Sequence, residues 1–243
     1  MTYCVGLRLE KGLVFMSDTR TNSGVDNISQ FKKLFTWSKP GERVITMMTA
    51  GNLATTQTVV SLLDERTKAP EDRSPSILDA PSMFDVARQV GELLRDVIRT
   101  ASPTGERADS TFDATIMLGG QIRGGGARLF LIYPEGNFLE ASTDTPFFQI
   151  GETKYGRPII LRAFEPTMTY EQAVKLLLVS FDSTLKANLS VGLPLDLMTY
   201  QEDSFKVGHE RRITAEDPYY VAISQGWGDA LKSAFKALPD FHF

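Results

Sequence analysis

The sequence predicts an α+β layered domain in which antiparallel strands alternate with pairs of helices. Three observations carry this. The first fifty residues read as short strands joined by tight turns, helical-period segments come in pairs between groups of strands, and no linker or repeat divides the 243 residues. Strands grouped in antiparallel runs argue against βαβ units, and residues 1–243 read as a single domain.

At the start, Val5, Leu7 and Leu9 alternate with Cys4, Gly6 and Arg8, and after Glu10-Lys11-Gly12 a second run covers Leu13 to Asp18. That is a hairpin. Lys32 to Trp37 and Arg43 to Thr49 form two more strands around the Pro40-Gly41 turn signal. Two helices follow, from about Asn52 to Arg66 and from about Ser82 to Thr100. In the second, Met83, Val86, Ala87, Val90, Leu93, Leu94 and Val97 recur at helical spacing. The connection between them, with Pro70, Pro75 and Pro81, is long enough to line a surface or an opening.

Strands resume at Phe112 to Leu118, Arg128 to Tyr133, Asn137 to Glu140 and Phe147 to Ile150. Gly119-Gly120 to Gly124-Gly125-Gly126 is read as a turn between two of them, not as a phosphate loop, because no helix follows. Two further helices come next, the second with Ala173, Val174, Leu177, Leu178, Phe181 and Leu185 on one face. A strand pair at Leu195 to Tyr200 and Ser204 to Arg211, and a helix from Asp217 to Lys236, complete the chain.

Composition excludes several functions. Lys and Arg total 26 against 30 Asp and Glu, so a net charge of -4 gives no field that draws the chain to nucleic acid. One cysteine, Cys4, and two histidines cannot form a disulfide framework or a His/Cys zinc site within one chain. No cofactor or metal is expected, and the compartment reads as reducing and cytoplasmic. No apolar run reaches the roughly 18 residues that span a bilayer, so no membrane partner is expected.

Most chemical groups have bland readings. His209 lies in an expected strand and His242 near the end, neither beside a nucleophile motif, and Cys4 reads as a small buried side chain. The Asp64-Glu65 and Glu71-Asp72 doublets read as solvated charge. The N-terminus is different. Once Met1 is removed, as is general before a small residue, Thr2 presents a hydroxyl nucleophile and a free α-amine on one residue. An α-amine with an unperturbed pKa of about 7.7–8.0 can serve as general base near neutral pH.

Asp18 ends an apolar strand and Lys33 precedes Leu34. Either alone reads as part of a surface ion pair. Brought together beside Thr2, they would lower the hydroxyl pKa and hold the amine unprotonated. Thr49-Ala50-Gly51-Asn52 joins a buried strand to a helix, where a glycine N–H can stabilise an oxyanion.

This order of Thr2, Ser17-Asp18-Thr19-Arg20, Lys33 and Ala50-Gly51 resembles the proteasome β-subunit family. Leu129 to Gly136, Ile150-Gly151 and Leu189-Ser190-Val191-Gly192 extend the likeness over essentially the whole chain. Within that superfamily of N-terminal nucleophile hydrolases the chain looks most similar to the bacterial Anbu family. The stretches that carry this are Gly12 to Asn22, Thr49 to Gln57 and Phe148 to Pro158.

The resemblance implies a four-layer αββα sandwich of two antiparallel sheets flanked by helices. It implies Thr2 as nucleophile, Asp18 and Lys33 as the pair that tunes it, and Gly51 as the oxyanion donor. Asn22, Thr49 and Leu53 would bind an extended peptide or amide substrate. Arg20, Glu152, Asn188 and Ser190 would be supporting residues. Lys32 leaves the lysine open by one residue, and Lys33 is preferred because the family's lysine directly precedes the apolar residue.

Two departures stand out: Glu152 replaces the family's serine after the glycine, and Ala187 replaces its aspartate. Both positions support the amine in the family. The expected function is a threonine-type peptidase or amidohydrolase working in a homo-oligomer, a ring or open helical turn. The alternative is a scaffold subunit that only assembles, and an ATPase partner stays unassigned. Pro239 to Phe243 carries two aromatics that would pack on a neighbour or fold back onto their own subunit.

Overall fold

Strands β1 (Tyr3–Leu9) and β2 (Gly12–Asp18) form the expected hairpin, with Cys4 opposite Ser17 and Leu7 opposite Val14. A computed structural model describes residues 2–23, 27–68, 74–101 and 112–243. Nearly every residue of both strands is buried, because each face is covered by a different layer. Tyr3, Val5, Leu7, Val14 and Met16 face helices, whereas Cys4, Leu13 and Phe15 face a second sheet.

Beyond the short hairpin of β3 (Arg20–Ser23) and β4 (Asn27–Gln30) come β5 (Leu34–Lys39) and β6 (Arg43–Gly51), then α1 (Leu53–Lys68) and α2 (Met83–Ala101). Strands β7 (Ala114–Ile122), β8 (Arg128–Ile132), β9 (Phe138–Glu140) and β10 (Phe147–Gly151) follow. Helices α3 (Arg157–Ala163) and α4 (Tyr170–Ala187), strands β11 (Leu195–Gln201) and β12 (Glu210–Ile213), and helix α5 (Pro218–Lys236) complete the order. One sheet runs β10-β1-β2-β11-β12 and the other β5-β6-β7-β8-β9, with every pairing antiparallel.

Three apolar cores glue the layers. Ile45, Met47, Ile116 and Leu118 pack against Val59, Leu63, Val86, Val90 and Leu94 of α1 and α2. Leu177, Leu178 and Phe181 of α4 cover the other sheet. Phe15, Val44, Met48, Met117, Leu129 and Met198 fill the space between the sheets. The fold is the four-layer αββα sandwich. Helix α4 starts on a capping box in which Thr169 accepts from the Gln172 N–H and the Gln172 side chain accepts from the Thr169 N–H.

Four expectations are corrected. Gly119-Gly120 is not a turn but the continuation of β7, and the turn comes at Arg123 to Gly125. A Cβ on Gly120, where φ is +149°, would lie 2.0 Å from the Val44 carbonyl, and one on Gly119 would lie 2.7 Å from the Phe15 ring. The late strand begins at Glu210 rather than Ser204, because Asp203 and Phe205 take φ of 61° and 48° and the Ser204 hydroxyl donates to the Gln201 carbonyl. His209 therefore precedes the strand.

The connection before α2 does not simply line an opening: Ser76, Ile77 and Ala80 are buried, and Arg43 donates to the Ile77 and Ala80 carbonyls. Asp64 is not merely solvated, since its carboxylate accepts from the Trp37 indole at 2.7 Å. Pro70, Glu71 and Asp72 lie outside the described residues.

Cys4 is fully buried, and burial pushes its thiol pKa far up. Among the described residues no helix is long and apolar enough to cross a membrane. From residue 229 onward every residue is exposed, Phe241 and Phe243 included, and those two rings meet edge-on at 5.0 Å.

Candidate active site

The N-terminal end of β1 and the C-terminal end of β2 lie side by side, which brings residues fifteen apart in sequence together. The Tyr3 N–H donates to Asp18 Oδ1 at 3.0 Å. Lys33 Nζ donates to the same oxygen at 2.7 Å and to the Arg20 carbonyl at 2.5 Å. The Gly192 N–H donates to Asp18 Oδ2 at 3.4 Å. Asp18 is 0% exposed and Lys33 4%. Burial pushes the Asp18 carboxyl pKa up, while the Lys33 charge and hydrogen bond and the two backbone donors pull it down.

Thr2 sits just before β1, 8% exposed, with its carbonyl accepting from the Glu152 N–H at 2.6 Å. The register Tyr3↔Gly151 and Cys4↔Ile150 extends by one pair, so Glu152 stands opposite Thr2. The Glu152 carboxylate accepts from the Asn188 side-chain amide at 2.9 Å and from the Lys154 N–H at 3.1 Å. Asn188 caps α4 and accepts from the Ser190 N–H at 2.9 Å.

A cleft of about 900 Å³ opens in front of Thr2. Thr2, Lys33, Thr49, Gly51 and Leu53 all line it. Thr49 donates its N–H to the Lys33 carbonyl at 3.1 Å, fixing the lysine segment against β6. Gly51, with φ of +110°, is the exposed end of an otherwise buried strand and precedes the N-terminus of α1, where backbone N–H groups favour developing negative charge.

The other expected residues surround this centre. Arg20 donates to the Leu189 carbonyl at 2.9 Å and so ties the β2 end to the chain before β11. Asn22 lies in β3 opposite Ile28, and its side chain falls outside the described residues. Asn188 is linked to Thr2 through Glu152, and Ser190 through Asn188. Lys33, not Lys32, reaches Asp18, and Lys32 instead lines the cleft with its ammonium 5.8 Å from the Phe35 ring centre.

No family model matches the chain, and no curated protein does. Among solved structures, Anbu (ancestral beta-subunit) from Yersinia bercovieri superposes with a TM-score of 0.93 at 49% identity, over 99% of this chain and 100% of that one. The chain belongs to the Anbu family. Anbu from Hyphomicrobium sp. strain MC1 is 50% identical with a TM-score of 0.91, covering 99% of this chain and 100% of that one. The helical assembly of the Anbu complex from Pseudomonas aeruginosa gives 46% identity and a TM-score of 0.91 over 99% and 98%.

The structure adds cleft residues to this Anbu site that sequence reasoning passed over. Thr56, Gln57, Val60 and Ser61 line the cleft beside Leu53. At three, four, seven and eight residues beyond Leu53 they fall on one helix face, a signal that was present in the sequence. Gly151 is another, since its φ of +83° lets the chain pass within contact of Thr2.

Proposed function

We propose that this Anbu protein is a proteasome-type N-terminal threonine peptidase or amidohydrolase that works in a homo-oligomer. The observation that carries the reading is the buried Asp18–Lys33 ion pair, anchored to the Tyr3 N–H next to Thr2, with Thr2 and Lys33 both lining a cleft of about 900 Å³. A buried ion pair gives little net stability, so an electrostatic role beside a nucleophile explains it better than fold maintenance.

In this mechanism Met1 is removed and the freed Thr2 amine takes the hydroxyl proton. The Thr2 oxygen bonds to the substrate carbonyl carbon, and the oxyanion takes a hydrogen bond from the Gly51 N–H. The C–N bond then breaks as the amine's proton passes to the leaving nitrogen. Water, giving its proton to the same amine, hydrolyses the resulting ester. The helical assembly of the Pseudomonas aeruginosa relative and the exposed end of α5 support self-association. The single cysteine supports a cytoplasmic location.

Intact mass together with labelling by a peptide epoxyketone tests the reading. Loss of Met1, labelling on Thr2, and no labelling of Thr2→Ala are expected. Undiminished labelling of Thr2→Ala would overturn the nucleophile assignment. A processed wild type that never labels would favour a subunit that only assembles.

A further inference from the structure

Lys32 holds the second cation at the cleft and has no role in the chemistry above. Its neighbour Lys33 is buried on Asp18, whereas Lys32 has no ion-pair partner among the described residues and lies against the Phe35 ring. An ammonium over an aromatic face is an attractive contact, and it places the Lys32 charge at the cleft wall beside Phe35. Among the described lining residues there is no aspartate or glutamate. Phe31, Phe35, Leu53 and Val60 supply apolar wall, and Gln57 and Ser61 supply polar groups.

This local charge runs against the molecule's own sign, since the chain carries a net -4. We propose that the cleft selects substrates with a glutamate-type side chain beside the scissile carbonyl: the aliphatic stem packs on the Phe31, Leu53 and Val60 wall and the carboxylate pairs with Lys32. A lysine or arginine there would meet the ammonium without a counter-charge. The inference rests on the threonine-nucleophile reading for turnover, but its recognition step stands apart from that reading and is measured apart from it.

Two measurements test it on the full-length protein. First, covalent labelling rates are compared for epoxyketones that differ only in a glutamate, glutamine or lysine side chain next to the reactive carbonyl. Glutamate should lead lysine by about fivefold or more, the size of one partly shielded ion pair. The lead should shrink as salt rises.

Lys32→Ala should erase the preference and Lys32→Glu should reverse it, while Lys175→Ala, which removes the same charge from the exposed face of α4, should leave it intact. Second, binding of the matching acetylated tripeptides to Thr2→Ala is followed by calorimetry, with the same order of affinities expected. Equal behaviour of the glutamate and lysine probes, or a glutamate preference that survives Lys32→Ala, overturns the proposal. If no epoxyketone labels the wild type, the nucleophile reading fails and the calorimetric order alone decides the role of Lys32.

Discussion

The Glu152 N–H donates to the Thr2 carbonyl at 2.6 Å, which sets these two residues opposite each other across the β1–β10 pair. The Glu152 carboxylate is buried and is held by the Asn188 side-chain amide and the Lys154 N–H, on a residue whose backbone bonds directly to Thr2. Glu152 and Asn188 form one network at the place where the resemblance pointed to a serine and an aspartate.

Glu152→Gln should lower the pH at which labelling reaches half its maximum. A neighbouring carboxylate favours the ammonium form of the Thr2 amine, so removing the charge frees the base at lower pH, by roughly half to one unit. Glutamine has one acceptor oxygen for the two donors from Asn188 and Lys154, which costs about 1 kcal/mol of stability as well. The check is a pH profile of labelling beside a melting curve. A midpoint that does not move would show that Glu152 acts only through packing.

Gly151→Ala should damage fold and site together. The new Cβ would lie 2.0 Å from the Thr2 carbonyl oxygen and 2.7 Å from its carbon, and φ of +83° is strained for alanine. Backbone strain of this kind costs about 1–3 kcal/mol, and the contact adds to it unless Thr2 is displaced. Thermal unfolding should fall by several degrees and labelling of Thr2 should drop further than stability alone explains. A fully active variant would mean that the end of β1 can move freely.

Much of this was legible in the sequence where one physical signal dominates. The β1 and β2 runs alternate by face, and the residues that alternate, Val5 and Leu7 against Cys4 and Phe15, do separate into two different cores. The order Thr2, Asp18, Lys33 and Gly51 was picked out through the family likeness, and of the two lysines it is Lys33 that contacts Asp18. The β3–β4 hairpin was not legible, because Arg20-Thr21-Asn22-Ser23 has no apolar residue to set a period. Gly119 and Gly120 misled for the opposite reason: glycine signals a turn, but here it makes room for Phe15 and Val44 across and beneath the strand.

Tyr3 should make the protein sensitive to strong alkali. Burial pushes its phenol up to about 12, although hydrogen bonds with Ser180 and Gln149 pull it down. Between pH 10 and 12 the unfolded phenol ionises while the folded one keeps its proton, so the folded state binds more protons and stability falls as pH rises. Two pK units correspond to about 2.7 kcal/mol at most, lost across that window. Tyr3→Phe should flatten this part of the profile while costing about 1 kcal/mol at neutral pH, where the Gln149 amide loses its acceptor at 2.6 Å. Chemical denaturation at pH 8 and pH 11 measures both effects. An unchanged difference between the two pH values would assign the alkaline loss to other groups, Tyr220 first among them, since its phenol is also raised to about 12.

Deleting Pro239 to Phe243 should weaken self-association more than it weakens the subunit. The tail and the last turns of α5 lie open to solvent: Leu231, Phe235, Leu238, Phe241 and Phe243 are all exposed, and the Phe241 and Phe243 rings meet each other. Removing exposed residues whose ring contact lies within the deleted segment changes subunit stability little. Two phenylalanines buried against a neighbouring copy would each be worth about 1.5–3 kcal/mol, and an interface repeated through a ring or helical turn loses that amount at every joint. Light scattering reads the size, and thermal unfolding at matched concentration reads the subunit, because assembly itself raises apparent stability. A smaller particle with a melting point that no longer depends on concentration is the expected result. A truncated protein of unchanged size would move the contacts that hold the assembly from the tail to the faces of α1 to α4.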